Sequence, residues 1–446
     1  MNSTTTPHPF ITRPHRTLIG LSIPVLLSLT AEPITALVDT AFISSLGVIP
    51  LAALGVGTTA LSSLFWMFNF LGVSTQTEIA QASGKGEKKR AGKTLSLALI
   101  LAAAFGILLI LTIYPTATWL AGVLGAAGNV KIHAVTYMQI RLFGAPAVLL
   151  TLVSFGAFRG QQDMRTPLII ALGVNALNVL LDWLLIFGNG PFPIMGVAGS
   201  ALASTISQWL GAITGILLAA RKIGISKKLV FQDAAKLLQV GGDLFVRTGI
   251  LNLFLAYTTR VANGLGADAG AAHQVIRQMW VFTALALDAY ATTVQSLIGF
   301  FVGQDSIATA KHVVRVALAW STGTGFLLAG LMWLGRNFVI DWLVPITAIQ
   351  VFLPAWGISA ISQPINSLAF LTDGVHWGTG DYRYLRNAML ITSAVGLVGL
   401  WLFENMGIKT LSRVWVIIGI WIILRAVFGL LRIYPGIGNS IFKRTE

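Results

Sequence analysis

Four acids lie where an apolar sequence makes them costly: Glu32 and Asp39 in the run 17–43, Asp182 in 166–188 and Asp288 in 271–302. An ionisable group inside hydrocarbon is expensive and marks a functional site by default. Glu32 and Asp39 are seven residues apart, two helical turns, so they share one face about 10 Å apart along the axis. Pro33 lies between them, where it removes a backbone hydrogen bond and is expected to bend the helix near Glu32. In the run 166–188, Asn175, Asn178 and Asp182 follow at spacings of three and four, which places all three on one stripe of an otherwise apolar helix. Carboxylates with amide carbonyls suit a hard cation such as Na+, and a carboxylate alone carries a proton. If the two runs face each other, Asp39, Asn178 and Asp182 make an ion or proton site. The competing reading is that the asparagines hydrogen-bond to neighbouring helices, as polar residues in membrane bundles do.

The elements that must position these groups follow from composition. The chain has 446 residues, 55% hydrophobic and 10% charged, against about 25% charged in a soluble domain. It therefore has too little charge to cover a water-facing surface and reads as a polytopic, all-α membrane protein. Forty-six glycines and 13 tryptophans spread through long apolar runs suit packed membrane helices better than a β-barrel. Spans of roughly 20 residues fall at about 17–43, 52–81, 92–114, 134–158, 166–188, 196–220, 241–262, 271–302, 312–335, 349–372, 387–404 and 412–434, twelve in all. The first run is too long, and with Glu32 and Asp39 too polar, for a cleaved signal.

The net charge of +14 is a topology signal and no mark of nucleic-acid binding. Twenty-one of the 30 basic residues fall at Arg13 and Arg16 and in the turns after even-numbered spans, among them Lys85 to Lys93, Arg221 to Lys236 with Lys227 and Lys228, and Arg432 to Arg444 at the end. Basic loops stay in the cytoplasm, so both termini are expected there, in a bacterial inner membrane. The absence of cysteine removes disulfides, thiolate nucleophiles and sulfur-ligated metals.

Sliding the sequence by 219 residues superimposes Leu46 and Gly47 on Leu265 and Gly266, Gln76 on Gln295, Gly84 on Gly303 and Gly106 on Gly325. A slide of 218 superimposes Gly160, Asp163 and Arg165 on Gly378, Asp381 and Arg383. Two six-span halves of equal orientation are related by a pseudo-two-fold axis along the membrane normal. The expected division is an N-lobe at 1–222, a linker at 223–240 and a C-lobe at 241–446, with a substrate cavity between the lobes.

Weaker signals complete the survey. Asp243 and Arg247, four apart, read as a structural pair, and Arg277 and Asp288, three turns apart, as members of a polar patch. The six histidines never cluster at metal spacing, and no GxSxG or HExxH motif is present. The segment Gly84 to Thr94, GKGEKKRAGKT, misses the phosphate-binding loop because Glu87 stands where glycine is required and no soluble nucleotide-binding domain surrounds it. No cofactor is expected, and an ion gradient becomes the energy source.

The segments EPITALVDTAFISSLG (Glu32 to Gly47), FRGQQDMRTPL (Phe158 to Leu168), NALNVLLDWLLIFG (Asn175 to Gly188), DLFVRT (Asp243 to Thr248) and DGVHWGTGDYRYLRNAML (Asp373 to Leu390) resemble the multidrug and toxic compound extrusion (MATE) family, DinF-like branch. The resemblance implies a pair of six-helix bundles that exports cationic or amphiphilic small molecules in exchange for H+ or Na+. It assigns the essential first-span acid to Asp39, its polar partners to Asn178 and Asp182, a hydroxyl ligand to Ser204 with Thr205 adjacent, and a bending proline to Pro24. Glu32, Asn175 and Pro33 are additional candidates. The alternatives are a flippase for lipid-linked oligosaccharides, which shares the broader fold, an intramembrane enzyme, or a sensor. A monomer in the lipid bilayer is expected.

Overall fold

The computed structural model describes residues 7–226, 231–405 and 409–443. Lys227, Lys228 and Arg444 of the topology argument lie outside them. No strand occurs among the described residues, as expected where hydrocarbon offers the backbone no hydrogen-bonding partner and each segment must satisfy its own. In chain order the principal helices are α1 (Pro14–Ser44), α2 (Val48–Gly84), α3 (Lys88–Val123), α4 (Gly128–Leu142 with Ala145–Gly160), α5 (Arg165–Phe187), α6 (Val197–Ile223), α7 (Phe231–Gly264), α8 (Ala267–Gly303), α9 (Ile307–Leu334), α10 (Ile346–Ile361 with Gln363–Thr379), α11 (Tyr382–Glu404) and α12 (Leu411–Ile433). Among the described residues nine single helices are long and apolar enough to cross a membrane, and α4 and α10 qualify as pairs bent by 49° and 48°. The twelfth, α7, carries Asp243 and Arg247 within its apolar stretch.

The two bends have one cause. Pro146 and Pro364 each stand in the first turn of the second piece of a broken helix, a position proline tolerates because its missing N–H has no partner there. A Cβ added to Gly106 of α3 would overlap Pro146, and one added to Gly325 of α9 would lie 2.8 Å from Pro364 Cα. These are the glycines that the sequence repeat superimposes. Gly160 and Gly378 behave alike: a Cβ there would lie 2.6 Å from the Gln76 carbonyl and 2.7 Å from that of Gln295. In hydrocarbon there is little hydrophobic drive between helices, so close backbone approach at small residues carries the packing.

The repeated aspartates also have matching tasks. Asp163, in the α4–α5 turn, accepts from the Arg165 and Thr166 amides (3.2 and 3.0 Å), the Thr166 hydroxyl (2.6 Å) and Lys222 Nζ in the last turn of α6 (2.6 Å). Asp381, in the α10–α11 turn, accepts from Arg432 Nε in the last turn of α12 (2.6 Å). Each half is thus pinned at the same corner by one carboxylate.

By internal contacts the chain forms two units, Pro24–Gly241 and Met1–Ile23 with Gly242–Glu446. This differs from the division drawn from topology, because residues 7–23 pack with the second half. Phe10 and Leu18 are fully buried in a cluster with Leu297, Phe301, Val313 and Ala317, and Ser22 Oγ bonds Thr293 Oγ1 at 3.2 Å. Hydropathy locates a span but cannot say which bundle receives it. One boundary falls at Pro24, inside α1, which runs unbroken through both Pro24 and Pro33. The expected linker is absorbed in part by α7, whose helix begins at Phe231.

Two outcomes test these packing arguments. Gly106→Val should lower stability by about 1–3 kcal/mol, as overpacking does, read as a fall in melting temperature of the purified protein, whereas Gly173→Val, which has open space, should not. For Asp163, burial alone would raise the carboxyl, but Lys222 and Thr166 outweigh it and hold it below the usual carboxylate range. The stabilisation is therefore complete above an ordinary carboxyl pKa of about 4 and lost as pH falls through the depressed native value. Melting temperatures measured downward from about pH 6 should drop less steeply in Asp163→Asn than in the wild type.

Candidate functional site

Asp39 stands five residues before the end of α1 and Asp182 five before the end of α5. At 1.5 Å per residue both therefore sit about 7 Å in from helix ends on one side of the unit. One turn beyond each acid, Ile43 and Ile186 enter an apolar cluster with Tyr137, Met138, Val197 and Ala201. That cluster clamps α1, α4, α5 and α6 together, with Asn178 and Asp182 turned inward.

The carboxyls of Asp39 and Asp182 lie against each other. Asp182 is fully buried, and neither of its oxygens, nor Oδ1 of Asp39, has a donor among the described residues. As carboxylates neither can donate to the other, and a buried acceptor left without a donor costs about 1–3 kcal/mol. On the same stripe, Asn178 Nδ2 donates to Ser204 Oγ of α6 at 3.3 Å. Thr205 Oγ1 instead bonds the carbonyls of Ala201 (2.8 Å) and Ile140 (3.3 Å). Ser204 is thus the hydroxyl that faces α5, while Thr205 ties α6 to α4.

Of the remaining candidates, Glu32 is exposed and Asn175 half-buried, and neither forms a hydrogen bond or ion pair among the described residues. Asp39, Asn178, Asp182 and Ser204 are brought together, and Glu32 and Asn175 are not drawn into their hydrogen bonding. The asparagine stripe thus divides, with Asn178 bonded across helices and Asn175 unbonded. No cluster of three or more acids, histidines or cysteines suited to a metal occurs among the described residues.

Three participants went unread in the sequence. Arg141 of α4 lies within Coulombic reach of both aspartates, its Nη1 donating to Gln208 Oε1 of α6 at 2.8 Å, and the Tyr137 hydroxyl lies beside its guanidinium. The signal was available: Arg141 falls within the expected span 134–158, away from any loop, where a base is as costly as an acid. The resulting set holds two carboxyls, one guanidinium, the amides of Asn178 and Gln208 and the hydroxyls of Ser204 and Tyr137, a donor and acceptor set suited to binding and releasing a small cation.

The second unit treats its buried charges differently. The expected Asp243–Arg247 pair does not form. Arg247 bonds Asp373, which also takes Arg425 Nη2 at 2.7 Å, and Asp243 takes Arg386 Nη1 at 2.5 Å. Partners from α10, α11 and α12 displace the local one because they meet these side chains in the dry interior, where Coulombic attraction is strongest. The guanidiniums also stack, Arg425 over Trp421 at 4.5 Å and Arg247 over Trp377 at 5.4 Å. Arg277 comes near His273, which meets Thr259 at 3.3 Å.

Repeated six-helix halves with broken fourth helices, and a polar cluster held inside apolar walls, are the architecture of a membrane carrier. The chain belongs to the MatE family, whose model matches residues 24–184 and 245–402. It is similar to DNA damage-inducible protein F of Escherichia coli (strain K12), 31% identical over 395 residues, covering 86% of this chain and 85% of that one. It is also similar to Protein DETOXIFICATION 44, chloroplastic, of Arabidopsis thaliana, 29% identical over 437 residues, covering 92% and 83% respectively. A solved structure described as the outward-facing conformation of a multidrug resistance MATE family transporter of the MOP superfamily matches with a TM-score of 0.87 over 98% of this chain and all of that one, at 20% identity. That last likeness concerns the fold. Family membership makes this a multi-pass membrane transporter and not an enzyme, and the likeness to the DinF-like branch holds.

If Asn178 and Ser204 are true partners, Asn178→Ala and Ser204→Ala should be non-additive in melting free energy by about 0.6 kcal/mol, the mean for interhelical hydrogen bonds in membranes. Asn178→Ala with Thr205→Val should add.

Proposed function

We propose that this transporter is a secondary active antiporter that exports cationic or amphiphilic organic compounds in exchange for H+ or Na+, with Asp39 and Asp182 as the coupled acids that bind the ion. The observation that carries the reading is the fully buried carboxyl of Asp182 against the half-buried Asp39, with no donor among the described residues for either oxygen of Asp182 or for Oδ1 of Asp39. A proton held by one supplies the missing hydrogen bond, and a sodium ion with the Asn178 carbonyl and the Ser204 hydroxyl supplies the missing positive charge. An organic cation meets the same need. Ion and substrate therefore compete, and release of one follows binding of the other.

Pro24 and Pro33 give α1 the weakened backbone at which a change of charge at Asp39 alters the helix. Exchange of access between the two units completes the cycle, as in other repeat-built carriers. In this reading the protein acts as a monomer in a bacterial inner membrane, with both termini cytoplasmic and the basic turns on that side. The names of its relatives, with their reference to detoxification and multidrug resistance, support a broad range of small amphiphilic substrates.

The test is efflux from proteoliposomes under an imposed pH gradient and, separately, a sodium gradient. One gradient should drive export in the wild type, and Asp39→Asn should abolish that coupling. Undiminished coupled transport in Asp39→Asn would sink the proposal.

A further inference from the structure

We propose that Arg141 sets the charge of the substrate, tuning the site to cations that carry a single positive charge. The inference rests on the reading of Asp39 and Asp182 as the cation site. Among the described residues, the charged groups that act on this carboxyl pair are each other and Arg141. With both acids ionised, the set carries two negative charges and one positive, a net charge of minus one. A net charge in a medium of low dielectric is costly, so one proton, one sodium ion or one singly charged organic cation brings the site to neutrality. A doubly charged substrate overshoots by one.

The geometry makes Arg141 a fixed counter-charge. Its Nη1 is engaged by Gln208 Oε1 at 2.8 Å, and Tyr137, itself buried, lies beside it. It forms no ion pair with either aspartate among the described residues. Compare Asp373 in the second unit, which is gripped directly by Arg247 and Arg425. A guanidinium bonded straight onto Asp39 or Asp182 would occupy the oxygens that a substrate must reach. Held off on Gln208, Arg141 subtracts one charge from the site and leaves those oxygens without a bonded donor. It is a specificity-determining residue that acts through the field and need not touch the substrate.

Ethidium and propidium share one aromatic ring system, and propidium adds a second permanent positive charge on a longer N-alkyl chain, so the change in their affinity ratio between wild type and variant, in which the chain's size cancels, reads the charge preference. Binding is measured by fluorescence on the purified protein in lipid nanodiscs, which needs no ion gradient. The wild type should favour ethidium. Arg141→Gln should shift the ratio toward propidium by at least about tenfold, the scale on which one nearby charge moves an equilibrium at a buried site, and Arg141→Lys should stay within about threefold of the wild type. If Arg141 only braces α4 against α6, Arg141→Gln weakens both dyes alike and the ratio is unchanged, which overturns the inference. Asp39→Asn serves as the second arm. Unchanged ethidium affinity there would overturn the underlying cation site and this inference with it, whereas weakened affinity with an unchanged ratio in Arg141→Gln would overturn the charge-setting role alone.

Discussion

Hydrocarbon supplies neither hydrogen bonds nor counter-charge, and every other feature of this protein answers to that constraint. The backbone responds by forming helix nearly throughout the described residues. Its two sharp breaks, in α4 and α10, fall inside packed units, where Pro146 and Pro364 lie against the glycines of a neighbouring helix. Side chains respond in one of two ways. A buried charge is matched by a partner of opposite sign, or it is left unmatched and becomes the place where something from outside must bind.

Both responses are present. Asp373 is held by two arginines that stack on aromatic rings, and Asp243 and Asp381 each hold another arginine. Breaking one partner of such a pair leaves an uncompensated buried charge, which is strongly destabilising, so these groups fasten α7, α10, α11 and α12 to one another. Asp182 is more deeply buried than any of them, yet its oxygens have no donor among the described residues. The nearby cation, Arg141, is kept on Gln208. A site that must load and unload an ion needs this incomplete compensation, because a fully satisfied carboxylate would have no reason to bind anything further.

The internal repeat now has a physical content. Gly106 and Gly325 match because each admits a proline-broken helix, and Gly160 and Gly378 because each meets a glutamine carbonyl. Asp163 and Asp381 match because each clasps the last turn of the sixth helix of its half. The residues proposed to bind the ion are not repeated: Asn178 and Asp182 correspond at the same slide to Gly396 and Leu400. The two halves share these scaffold contacts and differ in the charged groups they hold.

The sequence by itself determined that the chain is a helical membrane protein, where its spans lie, that its halves repeat, and that Asp39, Asn178 and Asp182 are out of place in their surroundings. These are properties of local composition and period, and the cost of charge in hydrocarbon makes them legible without any neighbour. What only the tertiary structure decided depends on which helices meet. It separated Ser204 from Thr205, set Glu32 and Asn175 outside the hydrogen-bonded cluster, and gave Asp243 and Arg247 partners more than a hundred residues away in preference to each other. It also assigned residues 7–23 to the second unit and placed Arg141 beside the acids. A spacing of four fixes which side chains share a helix face, but in an interior where attraction is unscreened the partner is chosen by packing across helices, and no local pattern records that choice.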